Sequence, residues 1–328
     1  MTKYVLKRIL LLIPVLLGVL IVVFTITYLT PGDPVVTILG TGYTPEKYVA
    51  KAAELGLDKG YLEQLWNYIW HIFTRLDFGK SYITNVPVAT ELATRVVVTA
   101  KIAIITIIID VLVGVPCGII ASTKQYSAWD YGFTSFALLS SAIPSFVIAP
   151  VFQVIFCVKL RWFPLAGLDS VSSYVLPIAV NALGGIALIT RMTRNSMLET
   201  IRQDYIRTAK AKGMGRREVV RKHALKNALI PVITVTGSSF ALMMGGALVV
   251  EMIFTIPGLG TYLYNGITNR DYPIINGSVI LAATIVCIMS IVVDITYTVV
   301  DPRLKTQFVS KKSGKRRKKL AQVGDNHV

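Results

Sequence analysis

The chain has 328 residues, is 53% hydrophobic and has a mean hydropathy of +0.60, a value that a soluble protein of this size rarely reaches. Apolar runs of about 18 or more residues mark membrane-spanning helices. The net charge of +16 is concentrated beside those runs, the ordinary signature of membrane topology, which argues against a nucleic-acid surface.

Lys3, Lys7 and Arg8 precede an apolar run over 9–29. The arrangement resembles a signal peptide, but the run is roughly twice the usual length. Thr30-Pro31-Gly32-Asp33-Pro34 offers no small-residue cleavage site, so an uncleaved first span is expected.

A long segment, 30–95, follows on the external side. Within it Leu62, Leu65, Trp66, Ile69, Trp70 and Phe73 recur at helical spacing, which predicts an amphipathic helix over 61–73. Asp58 and Gly60 precede it as start signals. Two readings stand: the stripe lies on the outer membrane face with its tryptophans at headgroup level, or it packs on the protein's own external surface.

Five further spans are predicted at 96–122, 132–158, 175–190, 231–253 and 277–300. Only helices or closed barrels satisfy the backbone in lipid, and runs this long mean helices. The expected fold is an all-α, polytopic membrane bundle of six transmembrane helices. Its parts are a short stub and first span (1–29), an external loop domain (30–95), a five-helix core (96–300) containing a basic loop at 191–230, and a basic tail (301–328). The fourth span is short and contains Pro177, Asn181, Gly184 and Gly185, so hydropathy defines it least well. Pro116, Pro144, Pro150, Gly245 and Gly246 interrupt other spans and fit kinked, closely packed helices.

Lys and Arg crowd the 191–230 loop and the tail, whereas loops 159–174 and 254–276 hold few. The bias places both termini in the cytoplasm. The tail run from Lys311 to Lys319 has two readings. It is a topology anchor, or it touches anionic lipid at roughly 1 kcal/mol per basic residue.

No catalytic set is visible. His71, His223 and His327 fall in three separate segments, and Cys117, Cys157 and Cys287 lie in or at the end of apolar runs. The cysteines have no metal-ligand spacing and read as small packing residues. The sequence contains no G-x-x-x-x-G-K-[ST], H-E-x-x-H or G-x-S-x-G. The chain is therefore read as a non-enzyme that binds no cofactor and no metal itself.

Three acidic residues lie within spans: Asp110, Glu251 and Asp294. A charge at the bilayer centre costs at least ~2.5–3.5 kcal/mol, so such a group faces a bundle interior or water. Asp110, near the middle of the second span, is the candidate for a polar pathway; the competing reading is a structural pair with a cation. Glu251 and Asp294 lie nearer span ends, where structural pairing or water contact is expected.

The strongest signal is residues 191–227, with eleven Lys and Arg against three acidic residues. A helix is expected over 195–212, then the Gly213-Met214-Gly215 turn, then a second basic run over 216–227. Met197, Ile201, Tyr205 and Thr208 form one predicted stripe, with Leu198 and Ala209 beside it. Val219, Val220, His223, Ala224 and Asn227 form another. Gly213 can adopt a left-handed conformation and end the first helix. Two apolar stripes and a glycine stop predict an ordered docking element rather than a solvated loop.

Here the residues resemble a known family. The run from Asp204 to Gly213, Asp-Tyr-Ile-Arg-Thr-Ala-Lys-Ala-Lys-Gly, followed by Arg-Lys-His-Ala-Leu-Lys-Asn-Ala-Leu-Ile-Pro from Arg221 to Pro231, is similar to the cytoplasmic EAA-type loop of binding-protein-dependent ABC importer permeases. The version is that of the dipeptide, oligopeptide and nickel group. Arg207-Thr208-Ala209 stands where the general motif has Glu-Ala-Ala. Further segments resemble the same group: Thr30–Pro34, Asp77-Phe78-Gly79-Lys80-Ser81, Ile256-Pro257-Gly258-Leu259-Gly260, Arg270-Asp271-Tyr272-Pro273 and Asp301-Pro302-Arg303. The large loop after the first span resembles the B-type subunit.

The resemblance implies a type I importer permease in a prokaryotic cell membrane. It implies a second, C-type permease, two ATPases that use ATP and an external binding protein as partners, with peptides or a related small solute as cargo. It also implies that Arg207, Thr208, Ala209, Lys210, Ala211, Lys212, Gly213 and Met214 form the coupling segment against one ATPase. The rival reading is a secondary transporter driven by an ion gradient, which would want ionisable groups deep in several spans and internal repeats.

Overall fold

The computed structural model describes residues 2–300 apart from 41 and 246, and the described residues are mostly helical. The basic tail of the sequence analysis lies outside them. Helix α1 (Thr2–Leu29) is the first span. The external segment carries α2 (Pro34–Leu39), α3 (Pro45–Glu54) and α4 (Tyr61–Arg75). Asp33 caps α2 by accepting from the Val35 amide, and Thr44 caps α3 through the Lys47 amide. Both helices place Pro at the first position, where a missing N–H costs nothing. A short antiparallel bridge between Lys80 and Pro87 closes the segment, and α5 (Val88–Thr123) begins earlier than the predicted second span.

The predicted third span, 132–158, is not one helix. It is α6 (Ala128–Ala142) and α7 (Ser145–Phe152), the latter continued by a wide π turn at Gln153–Lys159. The two arms bend by 94°. Pro144 causes the break: it has no N–H to give, and it pushes Ile143 into an extended conformation, φ −98°, ψ 116°.

Helix α8 (Val175–Ile201) contains the fourth span and runs well past Thr190. It is the most buried of the long apolar helices and packs on α5 and α6. Its weak hydropathy follows, because a helix facing protein on most sides does not need an apolar surface for lipid. After it come α9 (Asp204–Ala211) and α10 (Arg216–Glu218), which leads through a π turn at Val219–Ala224 into α11 (Leu225–Met244).

The predicted fifth span, 231–253, is also split. Helix α11 stops at Met244 with Gly245 as its C-cap, and α12 (Leu248–Ile253) is a separate piece. Helices α13 (Leu259–Asn269) and α14 (Tyr272–Val300) complete the order. Helix α14 packs on α11 and α1, so α1 lies at the edge of the bundle while α8, packed on α5, α6 and α11, lies at its centre.

Candidate coupling loop and buried carboxylates

The basic loop is ordered, but not as one helix over 195–212. Helix α8 ends at Ile201, Gln203 turns extended (φ −69°, ψ 150°), and α9 starts afresh at Asp204. The predicted stripe of Met197, Ile201, Tyr205 and Thr208 is therefore divided, because the break resets the helical phase. Met197, Ile206, Ala209, Val219, Ala224 and Ala228 form the buried cluster instead, with Ile201, Met214, Val220 and Leu225 packed around it. Tyr205 and Thr208 are exposed. Asn227 Nδ2 donates to the Tyr205 hydroxyl at 2.8 Å, tying α9 to the start of α11.

Of the eight expected contact residues, Arg207, Thr208, Lys210, Ala211, Lys212 and Gly213 are exposed, Met214 is half-buried and Ala209 is buried. Ala209 thus faces its own chain, not outward. Gly213 has φ +83° and open space where a Cβ would lie. Backbone conformation, not crowding, requires glycine there. The result is a short basic helix standing on an apolar base and ended by a left-handed turn.

A buried ion pair missed in the sequence secures this platform. Arg194 Nε and Nη2 donate to Asp130 Oδ1 and Oδ2 at 2.5 and 2.9 Å. Asp130 also accepts from the Tyr126 amide at 3.0 Å. Arg216 donates to the Thr123 carbonyl. The α5–α6 turn is thereby joined to the helices on both sides of α9. Ser127, three residues before Asp130, is a helix-start signal in the sequence, but its spacing gives no hint of a partner 64 residues away.

Asp110 is 1% exposed, and its Oδ1 has no partner among the described residues. A Cβ on Gly185 would fall 1.9 Å from its Oδ2. The carboxyl therefore occupies the seam between α5 and α8, in space that only glycine leaves open. Thr106 Oγ1 on α5 and Asn181 Nδ2 on α8 are likewise buried and unpartnered.

Glu251 and Asp294 have identifiable partners. Glu251, 2% exposed, accepts from Thr99 Oγ1 at 2.7 Å and from the Thr261 amide at 2.9 Å. Thr99 Oγ1 accepts in turn from the Leu259 amide. The carboxylate caps α13 from a distance, where the helix dipole favours negative charge. Gly258 leaves room for it, since a Cβ there would lie 2.3 Å from Glu251 Cδ. Asp294 pairs with Arg8 on α1 at 3.0 Å.

Three motif segments meet at the opposite end of the bundle. Ser81 Oγ donates to Asp271 Oδ2 at 2.6 Å, and Tyr272 donates to the Gly32 carbonyl at 3.3 Å. The Tyr82 and Tyr272 rings meet edge-on at 6.2 Å. Burial, followed by the nearby Asp271 carboxylate, pushes the Tyr82 phenol well above its ordinary range. These contacts border a half-open cavity of about 720 Å³ that also reaches Asp33, Tyr68 and Lys80. Among the described residues, no cluster of His, Cys, Asp or Glu could hold a metal.

Comparison with known proteins fits this architecture. Residues 114–306 match the family described as binding-protein-dependent transport system inner membrane component, and residues 1–103 match the N-terminal region of such membrane components. The chain belongs to this family: it is a multi-pass inner-membrane permease of a binding-protein-dependent ABC transport system, not a member of an enzyme family. It is 39% identical over 333 residues to the dipeptide transport system permease protein DppB of Alkalihalophilus pseudofirmus, covering 93% of this chain and 100% of that one. It is 34% identical over 337 residues to DppB of Escherichia coli K12, covering 93% and 99%. A solved structure of the MetNI methionine ABC transporter, in an inward-facing conformation, shares the fold. Its TM-score is 0.55 at 20% identity, over 64% of this chain and 96% of that one.

Proposed function

We propose that the chain forms half of the translocation pathway of an ATP-driven peptide importer and receives its motion through α9. The peptide assignment rests on relatives named as dipeptide permeases that match along nearly the whole chain. The observation that carries the coupling role is the exposed row Arg207, Thr208, Lys210–Gly213 on a helix whose other face is anchored by Ile206 and Ala209. A connector that moves as a body needs such a fixed base. The partners are a C-type permease, two ATPases that use the ATP, and an external binding protein. This chain itself holds no cofactor.

Both termini and Gly213 lie in the cytoplasm, and Trp66 lies outside, on the strength of the charge asymmetry. Asp110 is assigned to the pathway seam. Its buried, unpartnered carboxyl between α5 and α8 is a group whose surroundings change when these helices separate.

The test is uptake of a labelled dipeptide into proteoliposomes containing this chain with and without its partners and ATP. Uptake should require all components and ATP. Gradient-driven uptake by the chain alone would favour the secondary-transporter reading and refute this one. Cysteines at 63, on the polar arc of α4, and at 213 should be labelled from opposite sides of intact cells.

A further inference from the structure

Helix α4 divides its surface three ways. Leu65, Tyr68, Ile69 and Ile72 pack inward on Leu20 of α1 and Ile280 of α14. Leu62, Trp66, Trp70 and Phe73 are exposed at 75, 63, 56 and 49%. Glu63, His71 and Thr74 are exposed and polar, with Asn67 among them half-buried. At about 100° per residue the apolar exposed arc lies directly beside the packed arc, and the polar arc lies beyond it. The sequence left open whether this stripe meets lipid or protein; the structure packs one arc of it on protein and leaves the adjacent arc uncovered.

Depth along the bundle follows from the helical rise. Arg8, just before the apolar window Leu10–Leu29 of α1, pairs with Asp294 of α14, and this charge pair is taken as one edge of the hydrocarbon. Leu20 lies about 18 Å along α1 from that pair and Ile280 about 21 Å along α14, at roughly 1.5 Å per residue. In a core about 30 Å thick, the two helices place the contact with Ile72 roughly 9–12 Å below the far boundary. Higher up, Tyr68 stacks on Phe24 at 5.5 Å, and Tyr61 meets Tyr28 at 5.1 Å, near the end of α1. Helix α4 therefore descends alongside α1, from the surface at Tyr61 into one leaflet at Ile72. Val22, Ile26 and Leu29 of α1 are also uncovered, as expected of a helix at the edge of the bundle.

We infer that α4 is a lipid-embedded anchor. The Leu62–Trp66–Trp70–Phe73 face is covered by the acyl chains and headgroups of the outer leaflet, and Glu63 and Asn67, on the polar arc at the shallow end near Tyr61, remain in water. The word "outer" rests on the orientation proposed above; the contact with lipid does not. The anchor would hold the external segment, with its motif-lined cavity, at a fixed height on the bilayer.

The experiment uses the assembled transporter in lipid nanodiscs, with Cys117, Cys157 and Cys287 of this chain replaced by alanine. Single spin labels on Trp66→Cys, Trp70→Cys, Glu63→Cys and Asn67→Cys are read for collision with oxygen, which favours lipid, and with a water-soluble nickel chelate. Labels at 66 and 70 should show a several-fold higher oxygen-to-nickel ratio than labels at 63 and 67. Equal ratios at all four sites would overturn the proposal by placing the helix in water. Shielding of 66 and 70 from both reagents would overturn it in favour of a protein cover. If the cysteine variants do not assemble, Trp66→Phe and Trp70→Phe give a second readout. Each should remove part of the tryptophan fluorescence quenched by brominated lipid, and no difference from the parent would refute the anchor. Lipid contact can fail while dipeptide uptake persists, so this test is separable from that of the transport function.

Discussion

Arg194 on α8 grips Asp130 on α6 through two parallel hydrogen bonds of 2.5 and 2.9 Å. The Asp130 side chain is 3% exposed and that of Arg194 22%. Seven residues beyond Arg194, α8 ends and the turn into α9 begins. The pair thus fixes the last turns of α8, and with them the base of the coupling helix, to the neighbouring α5–α6 turn.

Removing one partner should be worse than removing both. A single Arg194→Ala or Asp130→Ala leaves a buried charge unpaired, at about 3–5 kcal/mol. An Asp130→Leu, Arg194→Met double variant should recover much of that thermal stability in detergent. If the single variants melt like the parent, the pair does not secure this corner.

The coupling face can be separated from its base by neighbouring substitutions. Thr208→Trp adds bulk on the exposed side and should reduce ATPase co-purification and dipeptide uptake while leaving thermal stability unchanged. Ala209→Trp pushes into the Met197–Val219 cluster. It should destabilise the loop by about 1–3 kcal/mol through overpacking. Equal losses of stability in the two variants would contradict the assignment of faces.

Gly213→Val forces a β-branched residue to φ +83°, a conformation costing on the order of 1–3 kcal/mol. Uptake should fall sharply, and Gly213→Asn, which tolerates this region better, should keep more activity. Valine and asparagine variants of equal activity would show that the turn does not matter.

Gly185→Ala should collide with Asp110, whose Oδ2 lies 1.9 Å from the added carbon. The expected outcome is lower thermal stability, largely restored by adding Asp110→Ala. Asp110→Asn alone should assemble but transport poorly. Full uptake in that variant would take the carboxyl out of the pathway and leave it a packing role.

Glu251→Ala should cost about 1–3 kcal/mol, because it strips the acceptor from Thr99 and the Thr261 amide and leaves buried donors unmet. Gly258→Ala should be comparably harmful, since its added carbon meets Glu251 Cδ at 2.3 Å. Melting curves of both variants check this, and an unshifted midpoint in either removes the cap from the account.

The sequence by itself determined the helical membrane class, the approximate positions of the spans and the basic loop with its glycine stop. Each is written in local pattern: apolar run length, charge bias beside the runs, and a residue type suited to positive φ. It also determined α4, whose spacing repeats without interruption. Tertiary structure decided what local pattern cannot carry. The bend after Ile143 has a local cause in Pro144, and packing sets only its 94° angle, but the break at Gln203 depends on how segments fit together, and it moved Tyr205 and Thr208 outward and Ala209 inward. The pairings Arg194–Asp130, Arg8–Asp294 and Thr99–Glu251 join residues far apart in the chain, so neither partner's neighbours reveal the other. Asp110 reads as a costly charge in sequence. Only the packing of α5 on α8 shows the glycine beside it, because a carboxyl's surroundings in a bundle are set by which helix lies next to it, not by the helix that carries it.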